Sequence, residues 1–156
     1  QILNATENVN KAQKVILVSE IEKYFGGNIK DKKIAMWGLA FKANTDDIRE
    51  ASSLDNISLL LEKGAKITAY DAIAEENVKK IFGDKIEYTK DMYSCLEDAD
   101  CLLIATEWSE FKNPNFQLMA EKMKNKAIFD GRNMFSIDQI ENTGFYYKSI
   151  GRKTIK

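Results

Sequence analysis

The chain has 156 residues, 44% hydrophobic and 30% charged, with a formal net charge of -1, as expected of one ordinary globular domain. That balance gives no hint of the concentrated basic surface expected of a nucleic-acid or membrane binder. No apolar run approaches the roughly 20 residues of a transmembrane helix.

No signal peptide or membrane partner is expected. The chain contains no histidine and only two cysteines, Cys95 and Cys101. Cys/His zinc sites and Ser-His or Cys-His catalytic pairs are therefore excluded, and no metal is expected. Cys101 opens the apolar run "CLLIAT" and reads as a small buried hydrophobe. Nothing in the cysteine usage points to an oxidising compartment, so a cytoplasmic protein is expected.

The first segment opens in mid-pattern at "QILNATENVN" without an initiator methionine, which suggests a piece of a longer protein. From Asn4 to Phe25 the apolar residues Val9, Ile16, Leu17, Ile21 and Tyr24 recur at helical spacing, and Gly26-Gly27 supplies a stop. At ~1.5 Å per residue such a helix is about 30 Å long. It is either an ordinary first helix or one that joins this domain to another domain or subunit.

Short apolar, β-branched runs then alternate with helical ones. "KIAMW" precedes a helix at Leu54–Lys63, "KITAYD" one at Glu75–Phe82, and "KIEY" one at Asp91–Glu97. "CLLIAT" precedes Pro114–Met123, "AIFDG" precedes Ser136–Glu141, and "GFYYKSIG" closes the series. This alternation predicts an α/β, Rossmann-like, doubly wound sheet, mostly parallel and of about six strands, preceded by the long N-terminal helix. Gly64 ends the second helix, and Pro114 suits a helix N1 position.

Ligands of open α/β sheets bind beyond the carboxyl ends of the strands. That rule nominates four loops: Gly38–Ser52, Asp71, Thr106–Ser109 and Asp130–Asn133. The first reads "GLAFKANTDDIREAS", with one glycine where a dinucleotide site has G-x-G-x-x-G. Ser52 or Ser53 is a plausible N-cap with Asp55 or Asn56 as a loose capping-box partner. The helix start suits an anion, flanked by Lys42 and Arg49, although a charged loop is more often simply solvated. Asp46 and Asp47 orient these cations or cap turns; a metal site there lacks a third ligand. Trp108 either caps the core or walls a pocket. Arg132, after the permissive Gly131, is either ion-paired locally or a ligand clamp.

The motifs "GLAFKANTDDIREAS", "AYD", "TEW", "FDGRN" and "GFYYKSIGR" occur in this order in the C-terminal domain of the nucleotide-sugar dehydrogenases, and from the first helix to Arg152 the chain resembles that family. "NTDD", "FDGRN" and "IGR" favour its UDP-glucose branch over the GDP-mannose and UDP-N-acetylmannosamine branches. Ala43 and Ala72 depart from it where prolines are common. The resemblance implies that residues 1–28 come from a central, dimer-forming helical region and residues 29–156 form the UDP-sugar-binding domain. It implies substrate contacts from Phe41 and Lys42, and a clamp on anionic groups from Arg132. Arg49 would reach towards NAD, which is held mainly by a separate N-terminal domain. On the charge pattern, Asp46, Asp47 and Glu50 would hold the basic side chains in place. The family oxidises a sugar C6 alcohol to a carboxylate with two NAD, through a cysteine in a G-G-x-C-type motif. Neither Cys95 nor Cys101 fits that context, so no catalytic residue is assigned and the chain alone is expected to be inactive. UDP-glucose and a second copy of the chain, docked through the first helix, are the expected partners.

Overall fold

The computed structural model describes residues 2–156. The expected first helix is two segments, α1 (Ile2–Lys14) and α2 (Ile16–Tyr24), joined at Val15. The joint has a physical cause. The Val18 amide donates to the Val15 carbonyl at 3.0 Å, one residue short of the helical partner. The Lys14 carbonyl instead accepts the Asn56 side-chain amide, at 2.9 Å, from a helix more than 40 residues away. α2 buries Leu17, Val18 and Ile21, while α1 buries nothing. The glycines after α2 close it as expected: Gly26 and Gly27 have φ of 75° and 95°. Their amides reach back to the Lys23 and Glu22 carbonyls, the paired bonds of a Schellman stop.

Six strands follow: β1 (Lys33–Trp37), β2 (Lys66–Tyr70), β3 (Glu87–Tyr88), β4 (Cys101–Ile104), β5 (Ala127–Asp130) and β6 (Tyr146–Ser149). They pair in parallel in the order β3-β2-β1-β4-β5-β6. Between them lie α3 (Ser52–Glu62), α4 (Glu75–Phe82), α5 (Phe116–Lys122) and α6 (Ile137–Ile140). Strand residues alternate between the faces. Ile34, Met36, Ile67, Leu103 and Phe129 pack under Ile21, Ile57, Leu60 and Val78 of α2, α3 and α4. Trp37, Leu102, Ile104, Ile128 and Tyr147 pack under Phe111, Met119 and Ile140 on the other side. The chain winds outward from β1 in one direction and from β4 in the other. Their neighbouring carboxyl ends therefore form the topological switch point where such folds place ligands.

Three local expectations are corrected. The helix expected at Asp91–Glu97 is a single 3-10 turn, Ser94–Leu96, because Asp91 accepts the Tyr93 and Ser94 amides and fixes a tight turn. Pro114 is not at N1: Asn115 is the N-cap of α5, its side chain accepting from the Leu118 amide at 3.0 Å, so the proline lies one residue outside. Neither Ser52 nor Ser53 caps α3. The N-cap is Ala51, which has no capping side chain, and the buried Ser53 hydroxyl donates to the Leu39 carbonyl at 2.5 Å.

Candidate functional site

The loop leaving β1 is built around one glycine because one tight approach is needed. Gly38 has φ of 90°, and a Cβ on it would lie 2.4 Å from the Thr106 Cβ and 2.7 Å from the Thr106 amide nitrogen. Its amide donates to the Tyr70 carbonyl at 2.8 Å, and the Thr106 hydroxyl donates to the Ala40 carbonyl at 2.6 Å. The loops after β1, β2 and β4 are thus fastened together at the switch point.

Asp71, directly after β2, completes the fastening. One of its oxygens accepts the Leu39 and Ala40 amides at 2.7 and 3.1 Å and the Trp108 indole N–H at 3.1 Å. The other accepts the Ile73 and Ala74 amides at 2.9 and 2.8 Å. Trp108 is buried in the core, so it caps the core rather than lining an open pocket.

Beyond Ala40 the chain turns outward. Phe41 is half exposed and Lys42 is exposed, with no ion-pair partner among the described residues. The Phe41 amide donates to the Asp47 carbonyl at 2.7 Å, closing the loop on itself. Asn44 and Glu50 adopt positive φ of 64° and 58°. Asp47 grips Arg49 through three bonds, from the backbone amide and Nε at 3.0 Å and from Nη2 at 2.8 Å. The Arg49 guanidinium, and then its amide, hold the Asp47 carboxyl down to about 2. Glu50 pairs with Lys14 at 3.0 Å, and Asp55 lies 3.7 Å from the same ammonium. The Glu50 hydrogen bond raises Lys14, and Lys14 lowers Glu50 in return. Asp46 departs from the expected role. No cation pairs with it among the described residues, and its backbone carbonyl accepts the Asn77 side-chain amide.

On the other side of the switch point the buried Asp130 shapes the "FDGRN" turn. It accepts the Arg132 and Met134 amides at 2.8 and 2.7 Å and the Tyr147 hydroxyl at 2.6 Å. The Gly131 amide donates to the Ile104 carbonyl at 2.9 Å. Arg132 then projects over the strand ends, with Nη2 2.8 Å from Glu107. It lines a cleft of about 190 Å³ together with Lys14, Ser52, Asn56, Ala105 and Gly131. Arg132 and Lys14 are thus brought to one concavity. Phe41, Lys42 and Arg49 lie on the adjoining loop at the same end of the sheet but do not line the cleft.

The sequence reading missed Lys14 and Glu107, whose partners are remote in the chain, and it missed the work done by Asp71 and Asp130. The last two had a legible signal: each is an acidic residue ending an apolar strand. Chemically the arrangement can hold an anion between paired cations. Neither cysteine can add a thiolate. Both are buried, which pushes Cys95 up to about 12 and Cys101 up as well.

A family model described as the UDP binding domain of the UDP-glucose/GDP-mannose dehydrogenase family matches residues 35–137. The chain is 37% identical to the UDP-glucose 6-dehydrogenase TuaD of Bacillus subtilis over 100% of its own length and 34% of that protein. It is 36% identical to the UDP-glucose 6-dehydrogenase of Pseudomonas aeruginosa over 97% of its length and 35% of that protein. The chain therefore spans about a third of the length of these relatives. Among solved structures, it superposes on a UDP-glucose dehydrogenase from Pyrobaculum islandicum with a TM-score of 0.71 at 27% identity, covering 90% of this chain and 29% of that one. A UDP-D-ManNAc dehydrogenase from Pyrococcus horikoshii gives 0.70 at 26% identity, covering 91% and 31%.

Proposed function

This chain belongs to the UDP-glucose/GDP-mannose dehydrogenase family, as its UDP binding domain, and we propose that it binds the UDP part of UDP-glucose at the carboxyl ends of its strands. The whole enzyme would oxidise UDP-glucose to UDP-glucuronate. The observation that carries this reading is the placement of Arg132 at a strand-end cleft by a buried aspartate, at the same end of the sheet as the Phe41–Lys42 loop.

Magnitudes favour ligand over resting partner. The Arg132–Glu107 pair is 34% and 45% exposed, and such pairs contribute about 0.2–1 kcal/mol. A charge-assisted contact to phosphate is worth roughly 1.5–3 kcal/mol. Exchanging Glu107 for a pyrophosphate oxygen is therefore favourable. Phe41 offers an apolar face at the loop tip, and Lys42 an exposed ammonium beside it.

NAD, when bound, supplies the hydride acceptor. On this chain Arg49 is the residue that would meet it, because its guanidinium is pre-oriented by Asp47 and 88% exposed. The buried thiols leave the chain without an accessible cysteine thiolate for that oxidation, so it would be inactive alone. Residues 1–28 would come from the central helical region and make a homodimer: α1 exposes Ile2, Leu3 and Val9 and buries none of them.

Another nucleotide sugar is the second reading, favoured by the near-equal superposition on the UDP-D-ManNAc dehydrogenase. Calorimetric titration of the chain with UDP, UDP-glucose, UDP-ManNAc, GDP-mannose and NAD tests both. Binding of UDP and of UDP-glucose ahead of UDP-ManNAc, with little response to GDP-mannose or NAD, supports the first. Tighter binding of UDP-ManNAc or GDP-mannose overturns it.

A further inference from the structure

We infer that Asp71 is the positioning residue of the nucleotide site, holding the Phe41–Lys42 loop, and that it is closed to ribose. The inference rests on the UDP reading above. In dinucleotide-binding folds an acidic residue at the end of the second strand hydrogen-bonds the ribose hydroxyls. Asp71 occupies that place after β2, yet it is only 4% exposed. Both its oxygens are occupied by five donors, all from its own chain.

Those donors come from three separate loops. Leu39 and Ala40 lead into Phe41 and Lys42, Ile73 and Ala74 start the turn into α4, and Trp108 belongs to the loop after β4. An acceptor-only carboxylate offers about four lone-pair sites, so five N–H groups fill Asp71 completely, three of them sharing one oxygen. The two amides before Phe41 take side-chain carboxylate in place of backbone acceptors, so the loop's exit direction depends on this residue. Asp130 does the same for the Arg132 turn, through different donors. The backbone turns that carry Lys42 and Arg132 are therefore set by different aspartates, and the Arg132 half meets Asp71 only through the Trp108 loop, whose Glu107 pairs with Arg132.

That division of backbone support supplies the test. Asp71→Asn keeps the volume but turns one acceptor into a donor facing donors. UDP affinity is measured for the parent, Lys42→Ala, Arg132→Ala and each of these combined with Asp71→Asn. In the parent background Lys42→Ala is expected to weaken UDP roughly ten- to hundredfold. In the Asp71→Asn background its effect should shrink to below about twofold, while Arg132→Ala keeps its full factor. An unchanged Lys42→Ala factor in both backgrounds overturns the inference.

Amide hydrogen exchange on the unsubstituted chain gives a second decision, should the variant fail to fold. The Leu39 and Ala40 amides should exchange as slowly as those of β1, and exchange at the rate of the Asn44–Asp46 stretch overturns the loop-holding role. If the parent binds no UDP, the nucleotide reading falls, while the exchange result still decides whether Asp71 holds the loop.

Discussion

Replacing Gly38 by alanine tests the packing of the switch point. The residue has φ of 90°, and the added Cβ would meet Thr106 at 2.4 Å from its Cβ and 2.7 Å from its backbone nitrogen. Thr106 cannot give way easily, being fully buried with its hydroxyl bonded to Ala40. Two costs add: about 1–2 kcal/mol for a side chain in the left-handed region, and about 1–3 kcal/mol for overpacking. For a domain of this size each kcal/mol lowers the melting temperature by roughly 2–4 °C, so the expected fall is about 4–20 °C. Gly144 is the internal control, with φ of 80° and no atom within 4 Å of the place a Cβ would take. Gly144→Ala should carry the conformational cost alone, about 2–8 °C. Thermal melts of the two variants by circular dichroism make the comparison. Equal falls would refute the claim that Gly38 is required by the approach of Thr106.

Other consequences are equally specific. Asp47 should titrate near 2 in a carbon-detected NMR pH series, and Arg49→Ala should return it towards the ordinary carboxylate value of about 4. Because its folded value is depressed, any stability it contributes is complete above about pH 4 and is lost as pH falls through about 2. Cys95 and Cys101 should take up no maleimide in the native chain at neutral pH and two equivalents in denaturant, read by mass spectrometry; native labelling at either contradicts their burial. Sedimentation at high micromolar concentration should show a dimer that Leu3→Glu with Val9→Glu dissociates. A strict monomer would count against pairing through α1.

Much of the sheet was legible because parallel strands buried on both faces read as continuous apolar runs, and "KIAMW" coincides with β1. The limits of α4 were legible as well, set by Glu75 and Glu76 in its first turn and Gly83 after its last. The break between α1 and α2 was not, since it depends on Asn56 reaching the Lys14 carbonyl from α3. Ser53 looked like a cap by composition, but its hydroxyl is used across the loop on Leu39. At the site, the motifs fall on loops that the fold gathers at one end of the sheet, while the partners of their side chains lay far off in sequence. Glu107 meets Arg132 across 25 residues, and Asp71 meets Leu39 across 32. Such pairings follow from the strand order, which brings β1, β2, β4 and β5 ends together, and a one-dimensional reading of charge cannot assign them.

The central claim is that UDP is held at the strand ends by Lys42 and Arg132. Its most direct test is calorimetric titration of UDP against the parent, Lys42→Ala, Arg132→Ala and Arg49→Ala, with a thermal melt of each. Loss of either of the first two cations should weaken UDP by roughly ten- to hundredfold, with stability changed by no more than about 0.5 kcal/mol, and Arg49→Ala should bind as the parent does. Equal UDP affinity in all four proteins, or losses that simply follow lowered melting temperatures, would contradict the account.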